Sequence, residues 1–374
     1  MRLSFYPVTA QNAFTIVSLL PPPRVPWQIT GNHWIALPCI HPIDGSLHAL
    51  GVLHRGSRSA IELAGSADFL QGTAPPLLKP TIGIGDTTRD FAGAQMAWER
   101  ALGWIPTFSC TIGDAVVRGT IFAPYGRDAD VAGAVYALSV ENRASAAADI
   151  VIGMEGRFGH RQMRVRTPRP FVDHNVASHA AEDVVLLEAS APPGDVAVAV
   201  GGDGPVTVTV GATATNEFSL RRVVRVKPGE REHVAFYIAA GPERDGAEAA
   251  VRVLRRRGWR DLLTSTRDAL QSLQQTATND VMDRLINRNL LFAYFYSVGR
   301  ALDDAHYYIV RSRAPWNGRG VTVRDWEALA WTIPAVQLAD PPLARELLLR
   351  ACELHGYAPG RGVHYLDGTL FEPG

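Results

Sequence analysis

Through the first 240 residues, apolar and polar positions alternate over short runs, and Gly and Pro interrupt them throughout. The segment 134–156 shows the pattern best. Tyr136, Leu138 and Val140 alternate with Val135, Ala137 and Ser139, which places the larger apolar side chains on one face of a strand. Glu141, Asn142 and Arg143 break the run, and Ile150, Val151 and Ile152 resume it, a hairpin or meander pattern. Val206, Val208 and Val210 fall in the same phase, and 223–241 repeats the pattern around a turn at Pro228 and Gly229. Many short strands with frequent turns predict an antiparallel β-sandwich over residues 1–240 rather than a βαβ fold.

The period changes near Pro242. Trp259, Leu262, Leu263, Thr266, Leu270 and Leu273 recur at helical spacing, giving a helical linker over 241–279. A helix is expected over 280–304, apolar around so much of its circumference that it needs neighbours on several sides. Another covers 340–356, with Asp340 as N-cap, Pro341 at the first position, Gly356 as the stop, and Glu346 beside Arg350. Between them, 321–339 carries an apolar stripe, and Pro334 inside it predicts a kink or two shorter pieces. Three helices cannot enclose one as apolar as 280–304. Residues 280–374 therefore read as the start of a larger helical domain, cut short.

Basic and acidic residues balance at 37 each, which removes the electrostatic case for a nucleic-acid or anionic-membrane partner. No apolar stretch is long enough to span a bilayer, and the run from Ala13 to Leu20 is short for a signal peptide, so a cytoplasmic location is expected. Cys39, Cys110 and Cys352 are widely spaced, and neither a zinc site nor a disulfide framework is expected. His33, His41, His48 and His54 lie close in sequence but match no ligand spacing, so they read as surface or turn histidines. Gly83 and Gly85 lack the third glycine of a dinucleotide loop; no cofactor or metal is expected.

Candidate chemistry gathers in 312–331. Helices in antiparallel pairs bring alternate loops to one end of a domain, so the loop before Asp325 and the loop after Gly356 are expected at a common rim. The first carries Arg313, Trp316, Asn317, Arg319, Arg324, Asp325 and Trp326; the second carries His364, Tyr365, Asp367 and Glu372. Aromatic rings stack on the apolar faces of sugars and carboxylates accept their hydroxyl protons, which points to an oligosaccharide partner. Asp325 is equally suited to capping a helix start, and Trp326 to a core.

The run 324–356, preceded by 307–320, resembles the first hairpins of the six-hairpin (α/α)6-toroid glycoside hydrolases, in particular bacterial glycogen-debranching, amylo-α-1,6-glucosidase-like proteins. The region 117–142 is similar to the N-terminal sandwich that these enzymes carry. The resemblance implies exo-acting or debranching hydrolysis of α-linked oligosaccharides with inversion. Inversion uses two carboxyl groups roughly 6.5–9.5 Å apart, one protonated and one ionised. In the family this pair lies on later hairpins. Arg324, Asp325 and Trp326 alone match a family element, and the resemblance implies that they line the terminal-sugar subsite. Asp367 and Glu372 are candidates by position only. An exo-α-mannosidase or sugar phosphorylase on the same toroid, and a non-catalytic carbohydrate-binding or interaction protein, remain open.

Overall fold

The structure is a computed structural model. It describes residues 25–66, 68–84, 87–127, 129–162, 174–180, 183–191, 194–211, 216–316, 321–322, 327–355 and 363–372. Strands β1 (Gln28–Gly31), β2 (Ile35–Ile40), β3 (Ala49–His54) and β4 (Ser59–Ala64) form an antiparallel meander, the first sheet. A second sheet begins with β5 (Lys79–Ile84) and β6 (Thr87–Asp90). The third begins with β7 (Ala97–Ala101), β8 (Ile105–Ile112), β9 (Ala115–Phe122) and β10 (Gly133–Asn142). The chain then passes between layers. Strand β11 (Ala148–Arg157) joins the second sheet and β12 (Gly159–Gln162) the first. Strands β13 (His174–Ala180), β14 (Val184–Ala191) and β15 (Gly194–Gly202) extend the third. Finally β16 (Thr207–Val210) and β17 (Glu217–Val226) complete the second sheet, and β18 (Arg231–Gly241) enters the third between β15 and β10.

The hairpin expected over 134–156 does not form. β10 pairs with β9 and β18, while β11 pairs with β5 and β17 in a different sheet. The same holds for 223–241, whose two strands lie in opposite layers, with Gly229 at φ 74 in the connecting turn. The reason is burial on both faces. Tyr136, Leu138 and Val140 enter the core between the sheets, and Val135 and Ala137 enter a second core beneath the helices. A strand apolar on both sides belongs in the middle of a covered sheet. Buried Asn142 fixes both arches. Its Nδ2 donates to Ala146 O (2.8 Å) and Val226 O (2.9 Å), and its backbone oxygen accepts from Gly229 N (2.7 Å).

The third sheet's outer face is lined by small residues, Ala137, Ala197, Ala199, Ala235 and Ala239, which let a helix approach closely. Helix α1 (Arg244–Arg257) lies there, burying Ala247, Val251 and Leu254 at helical spacing. Gly258, at φ 78, turns the chain into α2 (Trp259–Leu273), which buries Leu262, Leu263, Thr266, Leu270 and Leu273 as the periodicity requires. Helix α3 (Asp280–Tyr296) is capped by Asn279, whose side chain accepts from Val281 N and Met282 N.

Helix α3 ends at Tyr296, short of the expected 304, because the sandwich offers the following backbone better partners. Arg300 N donates to His33 O (2.7 Å) and Leu302 N to Leu53 O (2.8 Å), while β19 (Val298–Arg300) pairs with β20 (Tyr307–Ile309). Gly299 makes this approach possible: a Cβ there would stand 2.7 Å from Leu53 Cδ1 and 3.0 Å from Arg313 Cδ. Gly299→Ala is therefore expected to destabilise the fold by about 1–3 kcal/mol, measured by urea denaturation; an unchanged midpoint would mean that the seam has slack.

Further along the chain, a π-helical turn (Ala328–Thr332) runs into α4 (Ile333–Ala339), with Pro334 in the first turn. The interruption falls where the proline removes a donor. Helix α5 (Pro341–His355) follows, its start fixed by Asp340, whose Oδ1 accepts from Leu343 N (3.0 Å). Its expected stop at Gly356 lies outside the described residues. Arg350, expected beside Glu346, pairs with Glu353 (3.0 Å) and donates to Tyr308 OH (3.1 Å). Strands β21 (Val363–His364) and β22 (Leu370–Glu372) form a last short hairpin.

The four clustered histidines are buried, contrary to the surface or turn positions expected of them. His41 and His48 stack at 5.5 Å beside Trp27. His54 Nδ1 accepts from Ser57 N (3.1 Å) within the β3–β4 hairpin. His33 sits among Tyr125, Tyr294, Phe295 and Tyr307 at centroid distances of 4.7–5.8 Å. Sequence spacing missed this because these strands are covered on both faces, β2 and β3 being buried along their whole length.

Candidate functional site

The loop between β20 and the π-helical turn is clasped at both ends. Arg311 Nη2 donates to both oxygens of Glu327 (2.6 and 2.7 Å) and Nε adds a longer bond to Oε2 (3.2 Å), a pairing through two nitrogens that a single ammonium nitrogen cannot make. Arg311 N also donates to Thr322 O (3.1 Å), closing the loop neck. Arg324, Asp325 and Trp326, the residues expected to line a sugar subsite, lie between Arg311 and Glu327 in sequence and outside the described residues, as do Asn317 and Arg319.

Arg313 lies on the same loop and turns inward. It is 3% exposed, and its guanidinium donates to Asn32 O (2.7 Å), Trp34 O (2.8 Å), His33 O (3.1 Å), Phe295 O (3.2 Å) and Gly51 O (3.4 Å). Burial lowers its pKa to about 10, so it remains charged at neutral pH. One side chain thus joins the first sheet, the end of α3 and the loop; its donors face backbone carbonyls, where the sequence pattern placed it toward a ligand. Trp316 is half-buried and packs against both the helix-facing core and the cluster of Trp27, Cys39 and Phe69.

The second expected loop is ordered around Asp367. Thr369 donates to its Oδ1 from both N (3.0 Å) and Oγ1 (2.6 Å), and Arg58 Nε donates to its Oδ2 (2.6 Å). Partial burial opposes ionisation there, but these donors together hold the carboxyl below its ordinary pKa. Gly368 closes the turn at φ 81, with no room for a Cβ beside Leu354 O. The backbone of Glu372 lies in β22, and its side chain is outside the description. Val321 of the first loop and Tyr365 and Leu366 of the second belong to one apolar cluster with Leu53, Ala60, Ala301, Tyr308 and Val310. The described parts of both loops therefore meet over β3 and β4.

Sequence reasoning did not find Arg58, Asp303 and Asp304. Asp303 accepts from Arg55 N and Gly56 N (both 2.8 Å), and Asp304 accepts from Tyr308 OH and pairs with Arg55 (3.5 Å). These contacts join residues 309 and some 248 positions apart, which no local spacing signals. Glu327, Asp303, Asp304 and Asp367 are all tied to internal donors.

The fold defined by these elements is an antiparallel β-sandwich followed directly by a few helices. Two solved structures share it along nearly the whole chain. One is assigned as a kojibiose phosphorylase from the human microbiome, matched over 92% of this chain and 50% of its own at 10% identity and a TM-score of 0.58. The other is a bacterial glucoamylase complexed with acarbose, matched over 96% of this chain and 55% of its own at 8% identity and a TM-score of 0.51. The chain spans about half the length of each. Neither a protein-family model nor any curated protein sequence matches it.

Proposed function

We propose that this chain is the sandwich and first helical hairpins of a sugar-processing (α/α)6-toroid enzyme acting on α-linked glucosides by hydrolysis. The observation that carries the reading is that the likeness to the phosphorylase and the glucoamylase covers 92% and 96% of this chain, and so takes in both sandwich and helices. The helices add independent support. Val281 and Leu285 on α3, Leu329 on the π-helical turn, Leu338 on α4, and Leu349 on α5 are all exposed. So much apolar surface on adjacent helices is what further hairpins of a toroid would cover.

In this reading Arg324, Asp325 and Trp326 contact the terminal sugar, and the catalytic carboxyl pair sits on later hairpins. A debranching or exo-acting enzyme of the amylo-α-1,6-glucosidase type is the specific form that the sequence resemblance favours. Phosphorolysis is the second reading, favoured by the match to the kojibiose phosphorylase.

Titration of the 374-residue chain with glucose, maltose and acarbose, followed by calorimetry, is expected to show saturable binding that Asp325→Asn abolishes. No release of glucose from maltose, isomaltose or aryl-α-glucosides is expected. Turnover would place the catalytic pair on this chain, against the reading; absence of any sugar binding would remove the subsite assignment.

A further inference from the structure

The hairpin joining β3 to β4 reaches from the sandwich to the turn at 365–369. Its tip, Arg55 to Arg58, is closed by Arg58 N donating to Arg55 O (2.9 Å). It is fixed from below by buried Ser57 and Ser59, whose hydroxyls are 2.9 Å apart, and from the side by Asp303 on the backbone of Arg55 and Gly56. Arg58 itself is held at φ 58, a left-handed conformation that favours glycine or asparagine. A turn needing only that geometry has no use for a long cationic side chain. The side chain has a separate set of contacts: Nε on Asp367 Oδ2 at 2.6 Å, and the guanidinium 5.4 Å from the centre of the Tyr365 ring. Tyr365 in turn packs beside Val321 in the shared cluster.

We propose that Arg58 is a positioning residue: from the tip of the sandwich hairpin it holds the 365–369 turn beside the cluster that Tyr365 shares with Val321, so that the β domain sets the place of the Asp367 carboxylate at the candidate sugar site. The functional half of this statement rests on the reading given above. The positional half stands on the contacts alone. An arginine suits the task because it pairs with the carboxylate while lying over the ring, which an ammonium group does less well.

Hydrogen exchange of the full 374-residue chain separates the alternatives. The reporters are the amides of Tyr365, Gly368 and Thr369, which donate to Thr369 O, Tyr365 O and Asp367 Oδ1. Arg58→Gly is the informative variant, because glycine accepts the positive φ without strain while removing the guanidinium. It is expected to speed exchange at these amides by about tenfold and leave β10 and β18 unchanged. Arg58→Lys should give an intermediate rate. Wild-type rates at 365–369 in Arg58→Gly would overturn the proposal, and so would equal acceleration in β10 and β18, which would mean a general loss of stability. Glucose titration of the same samples is read separately. A wild-type chain that binds no sugar removes the functional reading, while the exchange result still decides the role of Arg58.

Discussion

Arg313→Ala is expected to cost at least about 3 kcal/mol, the largest effect of any single substitution considered for this chain. Among the described residues the guanidinium has no carboxylate partner; it is held by the dipoles of five backbone carbonyls from the first sheet and the end of α3. Truncation takes a donor from each of these oxygens, at ~1–3 kcal/mol for one left unpaired where water cannot enter; His33 O keeps Arg300 N. Arg313→Lys keeps the charge but cannot fork to two groups of carbonyls, so an intermediate loss is expected. Urea denaturation reads both. A shift below ~0.5 kcal/mol for Arg313→Ala would show that water or neighbouring donors replace the guanidinium and that it does not fasten helices to sandwich.

Acid sensitivity is the second large effect. Burial, followed by the nearby charges of Arg313 and Arg300, lowers the pKa of His33 to about 3, against the backbone of Val298, which favours the charged form. Burial, followed by the charge of His41, lowers that of His48 to about 4, with Asp44 and the Phe69 backbone opposing. Both histidines are thus neutral in the folded protein at pH values where the unfolded chain, with an ordinary pKa near 6.5, takes up protons. Their stabilising contribution is complete above about pH 6.5 and is lost progressively as the pH falls toward 4 and then 3. At pH 4.5 the loss should reach roughly 2–3 kcal/mol per histidine. His33→Phe, which keeps a ring among Tyr125, Tyr294, Phe295 and Tyr307, is expected to reduce the loss of stability between pH 7 and 4.5 by roughly 2–3 kcal/mol. An identical slope in wild type and variant would mean that His33 protonates in place without resistance.

The split between β and α regions was legible because periods of two and 3.6 differ over a few residues, as they do on either side of Pro242. Helix α2 followed directly, since its apolar stripe coincides with the buried face. Helix α3 was overextended because Val298, Leu302 and their neighbours continue an apolar pattern that cannot say whether it faces a helix or a sheet. The candidate site was legible only as two sets of polar and aromatic residues on two loops. An arginine beside tryptophan reads the same whether it turns outward to a sugar or inward to carbonyls, and Arg313 turns inward.

The alternation and punctuation of the sequence by itself determined an antiparallel β domain followed by helices, since those periods are set by backbone geometry within each element. Only the tertiary structure decided that successive strands cross between layers, that the histidines are buried, and that Arg58 meets Asp367. Those outcomes depend on what covers each face and on contacts between residues hundreds of positions apart, and a local pattern carries neither.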